Sequence, residues 1–202
     1  MTAIKPTFHI ALLFCITIAH TFAGNNNPTV QAEGSHQPAV KKELRSCALD
    51  DLFVAICEKD EPLLVSRLQE IQDSSIDLTL IVDKFNLSPL HWAASLNNFT
   101  MLKMLIEAGF SPNQLGGKKK LSTPLHCALR GNHASHDNTD SEALLEVIQY
   151  LVNKGKADVN VVNSDNQNAV ALAKELKLAD PIIAFLELHA NSQTSVDLVS
   201  PN

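Results

Sequence analysis

Ser88-Pro89-Leu90-His91-Trp92-Ala93-Ala94 and Thr123-Pro124-Leu125-His126-Cys127-Ala128-Leu129 are the same phrase written twice, 35 residues apart. A turn-rich segment precedes each copy, and apolar residues at helical spacing follow each. A fixed period of this size predicts stacked structural units rather than one globular core. Ser88 or Thr123 is placed to cap a helix, its hydroxyl accepting from an orphan backbone amide. Pro89 or Pro124 then falls at the first helical position, where its missing N–H costs nothing. Leu90 and Leu125 are expected in a core, and Ala93, Ala94 and Ala128 are small enough for neighbouring helices to approach closely.

A second helix follows in each unit. Met101, Leu102, Met104, Leu105 and Ile106 supply its apolar positions in one copy, with Gly109 as terminator. Leu144, Leu145, Val147, Ile148, Leu151 and Val152 do so in the next, with Gly155 as terminator. The twice-written phrase resembles the T-P-L-H-x-A signature of the ankyrin repeat, whose period is about 33 residues. Gly155-Lys156-Ala157-Asp158-Val159-Asn160 resembles the family's G-A-D-V-N phrase with one extra Lys. The resemblance implies an all-α ankyrin-repeat solenoid of about four helix-turn-helix repeats joined by β-hairpin-like fingers, with degenerate outer repeats. It also implies that His91 and His126 hydrogen-bond backbone near the adjoining hairpin. That role explains both residues without the alternative of catalysis or metal binding.

The repeats run from about 47 to 82, 83 to 114, 115 to 162 and 163 to 190. The third is too long, because Ala134 to Ser141 is inserted between its helices. Asn168-Ala169-Val170-Ala171-Leu172-Ala173 keeps only the apolar slots of the phrase in the fourth. In the first, Asp51 to Asp60 resembles a degenerate capping helix, and Leu63, Leu64, Leu68 and Ile71 furnish its partner. The stretch from Asp73 to Val82 is longer than usual and has room for an extra turn.

Residues 1–23 read as a secretory signal peptide: Lys5, an apolar run from Ile10 to Ala19, then small residues at Thr21 and Ala23. The run is short against the roughly 20 residues of a membrane span, so cleavage is preferred to an uncleaved anchor. Phe14 before Cys15 argues against lipidation. Residues 24–46 read as a flexible linker, and residues 191–202 as a disordered polar tail. No stable membrane span is expected after cleavage, and localisation is expected to be exported, periplasmic or secreted. Ankyrin proteins with export signals resemble bacterial envelope proteins or host-directed effectors.

The chain has 202 residues and a formal charge of −6, which becomes −7 once Lys5 leaves with the signal. An acidic chain of this kind is a poor nucleic-acid binder along its whole surface. Cys47, Cys57 and Cys127 remain after cleavage, an odd number for a paired framework. Cys47 and Cys57 either pair or stay reduced. Cys127 takes the slot of Trp92, which is expected to face the inter-repeat core.

Two classes of function are compatible with these residues. The first is a non-catalytic protein-binding module that acts as a monomer, needs no cofactor and meets a protein partner. The resemblance implies contacts at Lys84, Phe85 and Leu87 on one finger and Lys119, Lys120 and Ser122 on the next. Ser95, Leu96 and Arg130 on the first helices complete the set, with Phe85, Leu87 and Leu96 as an exposed apolar patch. Lys118-Lys119-Lys120 at a fingertip would attract an acidic surface. The second is a metal- or redox-linked accessory protein using His133, His136, Asp137 and Asp140, or Cys47 and Cys57. No G-x-S-x-G elbow, phosphate loop or helical H-E-x-x-H frame supports an enzyme. Asn98-Phe99-Thr100 is a glycosylation acceptor only in a eukaryotic secretory pathway.

Overall fold

A computed structural model describes residues 50–74, 76–131 and 139–196. Its helices come in antiparallel pairs: α1 (50–58) with α2 (Glu61–Asp73), and α3 (Pro89–Ser95) with α4 (Phe99–Glu107). α5 (Pro124–Gly131) then pairs with α6 (Thr139–Asn153), and α7 (Ala169–Glu175) with α8 (Asp180–Val196). The first helices stack in one row, α3 on α5 on α7. The second helices stack in another, α2 on α4 on α6 on α8. Apolar side chains between the rows form one continuous core running through every pair, from Leu52 and Ile56 through Leu90, Leu102, Leu129 and Ile148 to Leu172 and Leu186. The extra turn after α2 is a single 3₁₀ turn, Leu78–Leu80.

The close stacking of the first helices follows from small residues. Ala93, Ala94, Ala128 and Ala173 are fully buried in the row. A Cβ on Gly131 would lie 2.0 Å from the Ser95 carbonyl oxygen, so the end of α5 sits on the end of α3 with no room for a side chain. Aromatic contact ties the second row: Phe99 and Tyr150 meet edge to face with ring centroids 5.3 Å apart.

The turn within a pair is one device used three times. Lys59, Asn97 and Lys177 adopt left-handed backbone, with φ of 59°, 51° and 54°. The next residue's N–H reaches back to a helix carbonyl: Asp60 to Ala55 at 2.9 Å, Asn98 to Ala93 at 3.0 Å and Leu178 to Ala173 at 3.1 Å. Asp60 and Asn98 then cap the second helix through their side chains. The turn conserves orphan-carbonyl satisfaction without glycine. His133, His136 and Asp137 of the inserted segment lie outside what is described, as do residues 1–23, Cys47 and the linker, whereas the end of the segment, Thr139, Asp140 and Ser141, begins α6.

Three details depart from the sequence reading. The left-handed residue that closes α6 is the extra Lys156, at φ 62°, rather than Gly155. Gly155 is needed for closeness instead, since a Cβ there would meet the Leu151 carbonyl at 2.7 Å. α8 continues to Val196, past the point where polar composition suggests a tail. The reason is Gln193, whose amide accepts from Val159 N–H at 3.1 Å and donates to Ala157 O at 3.3 Å. Finally, the Trp92 and Cys127 slot is only partly buried and lies at the margin of the core. Burial still pushes the Cys127 thiol up to about 12, which makes it inert at neutral pH.

Leu129 is fully buried between the rows. Leu129→Ala is expected to lower unfolding free energy by about 2–5 kcal/mol. Urea titration followed by helical circular dichroism measures it, and exposed Val65→Ala on α2 should change little by comparison.

Candidate functional site

The segments between pairs are short fingers, and each is shaped by local hydrogen bonds. In the first, Asp83 Oδ1 accepts from Phe85 N–H at 2.9 Å and Leu87 N–H at 2.8 Å. Trp92 Nε1–H donates to the other oxygen of Asp83 at 3.1 Å, fastening the finger to α3. The third finger repeats the design with an amide, Asn163 Oδ1 accepting from Asp165 N–H at 2.9 Å and Gln167 N–H at 3.0 Å. Asn86 and Asn166 take the left-handed position of these two turns. The second finger is a true hairpin: Gly116 and Ser122 exchange both backbone hydrogen bonds at 2.9 Å.

The fingers are also stitched to one another. Gly117 N–H donates to Asn86 O at 2.9 Å, and Ser164 N–H donates to Leu121 O at 3.1 Å. The two imidazoles complete the stitching. His91 Nδ1 accepts from Ser88 N–H at 3.1 Å and from the Ser88 hydroxyl at 2.7 Å. With Nδ1 accepting, Nε2 carries the proton and donates to Ser122 O, 3.0 Å away in the next finger. His126 does the same: Thr123 Oγ1 lies 2.8 Å from Nδ1, and Nε2–H reaches Gln167 O at 3.0 Å. Each ring therefore ties its own helix cap to the carbonyl just before the next repeat's cap. The serine hydroxyl expected to bind an amide makes its short contact with the ring. Gly116 lets the hairpin press on the His91 ring, because a Cβ would come within 2.8 Å of both the ring and Asn86 O.

Residues 52–162 match the family profile described as ankyrin repeats in three copies. The chain belongs to the ankyrin-repeat family. Human palmitoyltransferase ZDHHC13 is 32% identical over 110 residues, covering 54% of this chain and 15% of that protein. Zebrafish palmitoyltransferase ZDHHC17 is 32% identical over 122 residues, covering 60% and 18%. Transcription factor SWI6 of Pyricularia oryzae is 32% identical over 88 residues, covering 44% and 9%. The chain thus spans less than a fifth of the length of these relatives. The ankyrin repeat domain of Bcl-3 superposes with a TM-score of 0.50 at 23% identity, covering 67% of this chain and 50% of that one, a likeness of fold. Ankyrin repeats are typically protein–protein interaction modules and generally non-catalytic.

The ankyrin fingers hold most of the expected contact residues, in unequal settings. Phe85 is 48% exposed, and the Lys84 ammonium lies 5.2 Å from its ring centroid. Leu87, Ser95 and Leu96 are half-buried, with Leu96 packed against the core, so the expected apolar patch narrows to Phe85 among those three. Lys119 is exposed. Lys120 pairs with Asp165 at 3.2 Å. Arg130 reaches the same carboxylate at 3.4 Å and donates to Ser122 Oγ at 3.1 Å. Ser122 is buried and holds Arg130, so its side chain is a brace within the array rather than a free contact. Leu80, Leu115, Leu121 and Val162 are exposed along the finger row and were not singled out by the family register. Their signal is in the sequence: Leu80 and Leu115 are one 35-residue period apart, and Leu121 follows the lysine triplet. Among the described residues no group of three His, Cys, Asp or Glu side chains is placed to hold a metal, and no helix is long and apolar enough to cross a membrane.

Burial lowers the pKa of both His91 and His126, outweighing the backbone hydrogen bonds that raise it. Unfolded imidazoles titrate near 6.5 and so bind more protons than the native rings below that pH. The stability they contribute is fully present above about pH 6.5 and is lost as pH falls toward their depressed native values. The unfolding free energy from urea titration should fall from pH 7.5 to 5.5, by at most about 1.4 kcal/mol per pH unit for each ring. His91→Gln/His126→Gln should be less stable at pH 7.5 and show a flatter dependence across that window.

Proposed function

We propose that this chain is an exported, non-catalytic adaptor that binds a partner protein through its ankyrin fingers and the exposed side of its first helices. Residues 1–23 direct export and are removed, residues 24–46 link, and the array that ends with α8 at Val196 binds. The protein works as a monomer in the periplasm or outside the cell, and its source is bacterial. The observation that carries the binding role is the row of large apolar side chains left facing solvent on braced fingers: Phe85, Leu115, Leu121 and Val162. Such side chains are held in place by the stitched backbone rather than covered by it, so a partner would bury them at little ordering cost.

A photo-crosslinking phenylalanine analogue placed at Phe85 or Leu121 tests this in the producing cell. Val65 on α2 and Leu188 on α8 are exposed controls on the second-helix row. The finger positions are expected to crosslink one discrete protein in the exported fraction, and the controls are not. Crosslinks at the control positions alone, or none at the fingers, would overturn the binding role. Recovery of the chain in the cytoplasm with its first 23 residues intact would overturn export.

A further inference from the structure

We propose that the first two fingers form a docking surface for an acidic peptide segment with bulky apolar side chains, supplied by the partner protein. This rests on the binding role proposed above and names the chemistry of the partner. Three observations converge. The first is a local reversal of charge. In a chain of formal charge −6, the two fingers and the helix behind them gather Lys84, Lys118, Lys119, Lys120 and Arg130. Second, the carboxylates nearby are already committed. Asp165 is shared by Lys120 and Arg130. Asp83 is occupied by Trp92 and two finger amides. Lys118 and Lys119 are exposed, and no carboxylate among the described residues pairs with them. Third, apolar side chains stand beside these cations. Phe85 lies under the Lys84 ammonium, and Leu121, 44% exposed, follows the lysine triplet.

The backbone brings the two fingers together. Gly117 N–H is bonded to Asn86 O, next to Phe85, and Gly117 adjoins the Gly116–Ser122 hairpin pair that carries Leu121. One peptide can therefore meet both apolar side chains while its carboxylates face Lys118 and Lys119. Complementary charge would set association rate and selectivity, and the apolar contacts would hold the complex. The surface differs from the first repeat of the same chain. There the sequence holds eight carboxylates, Asp50, Asp51, Glu58, Asp60, Glu61, Glu70, Asp73 and Asp77, against two cations, Lys59 and Arg67. A second copy of this chain is therefore the competing occupant that the test must separate.

The experiment is selection of random phage-displayed peptides on the full chain, followed by binding titration of a selected synthetic peptide at low and high salt. Enriched peptides are expected to combine Asp or Glu with Phe, Leu, Ile or Trp. Lys118→Glu/Lys119→Glu and Leu121→Ser should each weaken the selected peptide about tenfold or more, with unchanged helical circular dichroism. Lys177→Glu, exposed in the turn between α7 and α8, should not change binding. High salt should weaken the wild type and narrow its gap from the lysine variant. Neutral or basic peptides, no enrichment, or affinity unmoved by these variants would overturn the proposal. So would binding of phosphatidylglycerol vesicles in place of peptide, or concentration-dependent dimerisation in sedimentation that the lysine variant abolishes. Finger crosslinks in the cell together with any of these results would leave the binding role standing and remove only the acidic partner. Absence of finger crosslinks would remove the binding role itself.

Discussion

The array depends on a buried imidazole that bonds in two directions. His91 and His126 each accept at one ring nitrogen from the cap of their own helix and donate at the other to the next finger. A repeat of this length cannot bury its apolar side alone, so contact with a neighbour is a condition of folding. The imidazole adds direction to that contact. Ser122 O also accepts from Gly116 N–H and Gln167 O from Asn163 N–H, so each ring adds a second donor to its carbonyl, a hydrogen bond worth about 0.5–1.5 kcal/mol net. The ring thus sets the register of one unit on the next, while the leucines and alanines between the helix rows provide most of the attraction.

The same arrangement explains why fingers carry the recognition role. Their carbonyls and amides are consumed by neighbouring repeats, by Asp83 and Asn163, and by one another. What remains outward is side chain: Phe85, Lys118, Lys119 and Leu121. A rigid backbone presenting variable side chains suits selective binding, because little freedom is lost when a partner arrives. Arg130 and Asp165 extend the bracing across two repeats.

Much of this architecture was legible because the repeat phrase states its own function: cap, proline, core leucine, bridging histidine and small residues at fixed spacing. The pairing of helices and the His bridges followed from that phrase and from its resemblance to a family. The differences in exposure have a common cause. Register shows which slot a residue occupies, and exposure depends on what a neighbouring repeat places over that slot. Ser122 holds Arg130, Leu96 packs against the core and Leu87 is half-buried. Trp92 sits at the core's margin because its indole N–H is drawn to Asp83, a pairing nine residues apart that no periodicity encodes. The reach of α8 to Val196 depended on one glutamine finding two backbone groups more than thirty residues away.

The bridging imidazole is tested most directly by long-range nitrogen–proton NMR of the histidine rings at neutral pH. Both His91 and His126 should be neutral, protonated at Nε2 and unprotonated at Nδ1, with the Nε2 proton slow to exchange. A ring protonated at Nδ1, or one exchanging freely between tautomers, would contradict the bond that joins each repeat to the next.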